Sequence, residues 1–145
     1  MKALIQRVSH ANVAIDNRVV GEIDHGLLVL LGIESGDTEK NADKITHKLA
    51  NYRVFDDKDG KMNCSVCDVN GGILLVSQFT LAAETSKGLR PGFSRAATPQ
   101  LADQLYNYCI TQLKHQVANV ATGIFGADMQ VSLTNDGPVT FLLEA

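Results

Sequence analysis

From Ala3 to Ile15 apolar and polar residues roughly alternate, with Leu4, then Val8, then Val13 and Ile15 as apolar positions. This is the period-two pattern of a strand with one buried face. Asp16-Asn17 follows as a turn signal before Val19-Val20 and Ile23, so the opening stretch predicts a β-hairpin. Gly26 to Ile33 is instead one continuous apolar run of strand length, which predicts a central strand covered on both faces. After the turn Asn70-Gly71-Gly72, the run Ile73 to Phe79 predicts a second central strand.

Helical spacing appears twice. Asp37-Thr38 offers an N-cap, after which Ala42, Ile45, Leu49 and Tyr52 recur on one face and Lys40, Lys44 and Lys48 on another, predicting a helix from about Thr38 to Arg53. Thr98 caps a second helix with Pro99 at its first position, and Leu101, Leu105, Cys109, Leu113 and Val117 form its apolar stripe. Between the helices lie a turn at Asp56 to Gly60 and a short strand from Met62 to Val66. Met129, Val131 and Leu133 alternate with polar residues, and Asn135-Asp136-Gly137-Pro138 interrupts before Val139 to Leu143; this predicts a terminal hairpin. The sum is an α+β fold, a mainly antiparallel β-sheet curling into a barrel-like core with two amphipathic helices, in a single domain over residues 1–145. Ala82 to Ala97 lacks periodicity and reads as a long ordered loop, a kind of segment often tied to function.

Composition narrows the function classes. With 45% hydrophobic and 20% charged residues the chain has the make-up of a globular domain. A net charge of −3 argues against holding nucleic acid on a broad basic surface. Lys87, Arg90 and Arg95 still cluster in the aperiodic stretch, as phosphate contacts or as a solvated loop. The start has polar residues where a secretory leader needs an apolar run, and Leu27 to Leu31 is too short to cross a bilayer; a cytoplasmic protein with no membrane partner is expected. Three cysteines fit reduced thiols. Cys64-Ser65-Val66-Cys67 has the form of a metal or redox half-site, but no second pair accompanies it, and two small strand residues are the simpler reading. No metal and no cofactor are expected. His10, His25, His47 and His115 are scattered without ligand or triad spacing.

Two segments remain. At Ser77-Gln78-Phe79-Thr80 polar groups abruptly replace an apolar run, and Asn135-Asp136-Gly137-Pro138 has turn chemistry; on these grounds alone each is a surfacing strand end or an ordinary turn. Together, Val76-Ser77-Gln78-Phe79-Thr80-Leu81 and Asn135-Asp136-Gly137-Pro138-Val139-Thr140 resemble the two signature motifs of the bacterial-type D-aminoacyl-tRNA deacylase family. Ala3 to Val8, the Gly26 to Gly32 run, Lys61-Met62-Asn63, Arg90-Pro91 and Ala127-Asp128-Met129 are similar to that family in the same order, over essentially the whole chain.

The resemblance implies an esterase acting on the 3′ end of D-aminoacyl-tRNA, active as a homodimer with its sites at the dimer interface. Ser77, Gln78, Phe79 and Thr80 would form the catalytic segment. Gly137-Pro138, joined by a cis peptide, would reach in from the partner subunit, engage the α-ammonium and leave no space for an L side chain. Glycyl esters, with no side chain to exclude, would be accepted. Arg7 would support the partner's Gly-Pro loop, and Phe125 and Met129 would lie near the terminal adenine or else simply be buried. Without a visible base, Thr80 is a poor nucleophile. Water attack assisted by the RNA 2′-hydroxyl, with Phe79 and Thr80 amides stabilising the oxyanion, is the favoured chemistry. The rival readings are a hydrolase of another ester and a non-catalytic RNA-binding module.

Overall fold

The computed structural model describes residues 1–145. Strand β1 (Lys2–Ile15) turns through Asp16 and Asn17, both at positive φ (48° and 62°), into β2 (Arg18–Ile23), the backbone that a tight two-residue hairpin requires. Strand β3 (Gly26–Gly32) continues the same register along β1: Val8 faces Gly26 and Ala11 faces Ile23. β2 and β3 are thus two halves of one bent strand.

Helix α1 (Glu39–Asn51) starts at Thr38, whose N–H and hydroxyl both donate to Asn41 Oδ1, at 3.0 and 2.8 Å. It stops short of Tyr52, which packs edge-on against Phe141 rather than in the helix stripe. The small ribbon β4 (Phe55–Asp56) and β5 (Met62–Cys64) follows. β5 ends at Cys64, and Cys67 sits in the next turn, so the two are not both strand residues as expected.

Strand β6 (Gly72–Ser77) pairs with β3 in parallel, and after a 3₁₀ turn (Phe79–Ala82) and helix α2 (Pro99–Gln116), β7 (Asn119–Thr122) pairs in parallel with β6. Strand β8 (Gln130–Glu144) runs antiparallel along β1. The principal sheet is therefore mixed: β1 has three antiparallel partners, and the helical crossovers add two parallel pairs to the mainly antiparallel expectation. The sheet nearly closes into a barrel where β2 meets β7; a Cβ at Gly21 would lie 2.5 Å from the Thr122 carbonyl oxygen.

The apolar runs are explained by a core on each side of the sheet. Leu27, Val29, Leu31, Ile73 and Leu75 pack under α1 and α2, while Leu28, Leu74 and Val76 point inward with Val8, Val13 and Ile23. Successive side chains on β3 and β6 serve opposite cores, so neither strand has a polar face to alternate.

Candidate active site

Strand β6 leaves the sheet at Ser77, and the Gln78 N–H donates to the Leu31 carbonyl at 2.8 Å before the chain enters the 3₁₀ turn. The expected strand over Ile73 to Phe79 is therefore shorter. Phe79 and Thr80 open a turn whose first internal bond is donated by Leu81 to the Gln78 carbonyl, which leaves the two preceding amides without an intrahelical acceptor.

This strand end forms one wall of a cavity of about 510 Å³ lined by Ser77, Gln78, Phe79, Phe125 and Met129, among others. The cavity brings together five of the site residues expected from sequence. Eight of its twelve lining residues are hydrophobic and none carries a titratable side chain, so the lining supplies no general acid or base. Thr80 is exposed just beyond the wall, and its hydroxyl accepts a 2.6 Å bond from Gln78 Nε2. No titratable lining group stands beside that oxygen to activate it as a nucleophile.

The far wall comes from Ala97, Pro99 and Ala102 at the start of α2, with Gly126 and Ala127 beside Phe125. The sequence reading did not single these out as lining. Their signal is weak, because small residues beside a helix start also serve ordinary packing. Two buried supports lie behind the lining. Tyr106 donates its hydroxyl to the Leu75 carbonyl at 2.8 Å and stacks at 6.1 Å from Phe125; its burial raises the phenol's pKa. Gly123 lies against Met129, where a Cβ would come within 2.5 Å of Sδ. Below them burial pushes the Cys109 thiol up to about 12.

The second motif is built differently. Gln6 pairs with Thr140 and Val8 with Asn135, so residues 136–139 bulge from β8 opposite the single residue Arg7. The expected terminal hairpin is instead one long strand with this projection. Gly137 has φ +141°, and the Gly137–Pro138 peptide is cis. Asn135 ties the base: Oδ1 accepts the Val139 N–H at 2.7 Å and Nδ2 donates to Thr140 Oγ1 at 2.9 Å. Arg7, 8% exposed, donates through Nε to the Asp136 carbonyl at 2.9 Å and through Nη1 to the Val54 carbonyl at 2.8 Å. Arg7 thus holds the loop of its own chain.

Within one chain the two motifs do not meet. Gly137 stands beside Arg7, which pairs with Leu27 and through it with Ile73, four residues before Ser77. Three strand spacings and four residue rises put Gly137 roughly 20 Å from Ser77 along the sheet. Pro138 and Gly137 are exposed, on an edge strand whose Leu142 is 53% exposed.

A chain from Cellvibrio japonicus, "D-aminoacyl-tRNA deacylase", is 64% identical over 144 residues, covering 99% of each chain; one of the same name from Pseudoalteromonas translucida is 61% identical over 143 residues, again 99% of each. A solved structure titled "c-Myc DNA Unwinding Element Binding Protein" superposes with TM-score 0.96 at 42% identity, covering 100% of this chain and 99% of that one. A probable eukaryotic D-amino acid tRNA deacylase, at TM-score 0.87 and 14% identity over 99% and 98% of the two chains, shares the fold. The family model described as D-Tyr-tRNA(Tyr) deacylase matches residues 4–144, and the chain belongs to that family.

Proposed function

We propose that this chain hydrolyses the ester joining a D-amino acid to the 3′ end of tRNA, releasing both. The observation that carries this reading is the wall Ser77-Gln78-Phe79: an apolar cavity, no titratable lining group, and open amides at its edge. Such a site suits an ester already activated by its own α-ammonium and by a neighbouring ribose hydroxyl. Phe125 and Met129 hold the terminal adenine, Ser77 and Gln78 shape the wall, and the Phe79 and Thr80 amides stabilise the oxyanion, a contribution of up to about 4 kcal/mol per donor. Water is the nucleophile, assisted by the RNA 2′-hydroxyl. The lack of a base in the cavity lining supports this over a covalent threonyl ester.

The other half of the site comes from a second copy. The long separation of Gly137 from Ser77 within one chain, and the exposed edge carrying Gly137-Pro138, support a homodimer with shared sites. There Gly137 and Pro138 meet the α-ammonium and occupy the space of an L side chain, so chirality is decided by exclusion. Glycyl esters, including glycine misplaced on alanine tRNA, pass. The enzyme works in the cytoplasm, where tRNA is charged.

Incubation with D-Tyr-tRNA and L-Tyr-tRNA tests this directly: release of D-tyrosine alone is expected, and stability of both esters overturns the activity. A 2′-deoxy terminal adenosine slows the reaction if the RNA assists; equal rates remove that step. Thr80→Val retaining near-normal hydrolysis eliminates the covalent route.

A further inference from the structure

The three cations of the aperiodic stretch have different fates. Arg95 is engaged, with Nε 3.8 Å from Glu34 and Nη1 3.7 Å from Glu84. Its segment is also tied to the body: Ser35 N–H donates to the Arg95 carbonyl at 2.9 Å, and Glu84 and Gly92 exchange backbone bonds of 2.7 and 3.0 Å. Lys87 and Arg90 lie beyond that closed base, exposed and in no ion pair or side-chain hydrogen bond. The turn is set by Gly88 at φ +73°, and Pro91 biases Arg90 toward extended backbone. Phe93 packs on the cavity-wall residue Phe79 with ring centroids 5.1 Å apart. Arg90 and Phe93 are three positions apart, so their backbones are within about 11 Å.

We infer that Lys87 and Arg90 form a phosphate grip for the nucleotides preceding the terminal adenosine, set by the Arg95 and Phe93 anchors beside the cavity mouth. This rests on the cavity taking a tRNA end. Because the chain is net negative and screening confines exposed charges to roughly 8–10 Å, attraction to RNA has to be local, and these cations stand where a strand leaving the cavity passes. An exposed arginine can also fork onto phosphate oxygens.

The test is the double variant Lys87→Ala/Arg90→Ala, with Lys58→Ala/Lys114→Ala as a control pair of exposed cations elsewhere. Wild type and variants are titrated with uncharged tRNA across a salt series. Loss of two single-strand phosphate contacts flattens the log–log salt slope by about 1.4, and the control pair leaves it unchanged. In parallel, kcat/KM is measured on D-Tyr-tRNA and on D-tyrosyl adenosine, which has no backbone phosphate. The expected result is about a tenfold fall in the tRNA-to-adenosine ratio at low salt, carried by KM. An unchanged binding slope, or equal losses on both esters, overturns the grip. Because binding is read without hydrolysis, a reduced slope with both esters intact keeps the grip and removes the deacylase reading.

Discussion

The cavity at the end of β6 and the bulge on β8 are held by opposite means. The cavity is mostly apolar, bounded by Phe79, Phe125 and Met129 with small residues between, and has no titratable group in its lining. The bulge anchors its base through buried Val139, but its exposed tip is fixed by hydrogen bonds to Arg7 and Asn135. A pocket that must accept a bulky end gains its shape from van der Waals packing, whereas a projecting loop whose tip stands in water needs directional bonds. The two should therefore break under different perturbations.

The largest effect is expected at the bulge. Arg7→Ala removes the donors to Asp136 and Val54 and should cost about 3 kcal/mol in urea unfolding. If the loop of a second copy completes the site, hydrolysis of D-Tyr-tRNA falls on the order of 100-fold, because small misplacements of positioning groups cost that much. Arg7→Lys keeps a charge without the fork and recovers only part.

Next comes the cavity. Gly123→Ala places a methyl against Met129 Sδ, and overpacking costs about 1–2 kcal/mol, softened by the flexible thioether. Here KM for the tRNA ester should rise while the Arg7 contacts are untouched; an unchanged KM would show that Met129 does not shape the bound end. Tyr106→Phe removes one buried hydroxyl bond, about 1 kcal/mol by thermal or urea unfolding. The Leu75 carbonyl retains the Gly123 N–H at 3.0 Å.

The smallest effect is that of pH. Burial opposes ionisation of Glu34, but the Met1 α-ammonium and Lys2 prevail and lower its pKa below 4.5; bonds from Ser86 lower that of Glu84. A lowered native value means that their contribution is present above about 4.5 and is lost as pH falls through the native values. Urea midpoints should therefore drop below pH 4.5, less so in Glu84→Gln. The reverse holds for Cys109: its raised value favours the folded state below pH 9.0 and is lost as pH climbs toward 12.

Much of the fold was legible because burial leaves periodic marks. The β1–β2 turn, both fully buried strands, and the α2 cap and stripe follow from pattern, and Thr98 does accept the Leu101 N–H at 3.4 Å. β7 was missed: its four residues are half-buried or exposed and carry no alternation. The continuity of β8 was hidden because Asn-Asp-Gly-Pro has the chemistry of a chain reversal, and only the Asn135 and Arg7 bonds make it a bulge. In the candidate site, motif resemblance located the strand end and the loop, while Gly123, Tyr106 and the start of α2 matter through space and could not be placed without the fold.

Residues 136–139 are braced by Arg7 and Asn135 of the chain that carries them. A loop braced from within its own chain would enter the proposed pairing as a preformed part, with little conformational freedom left to surrender at the moment of docking.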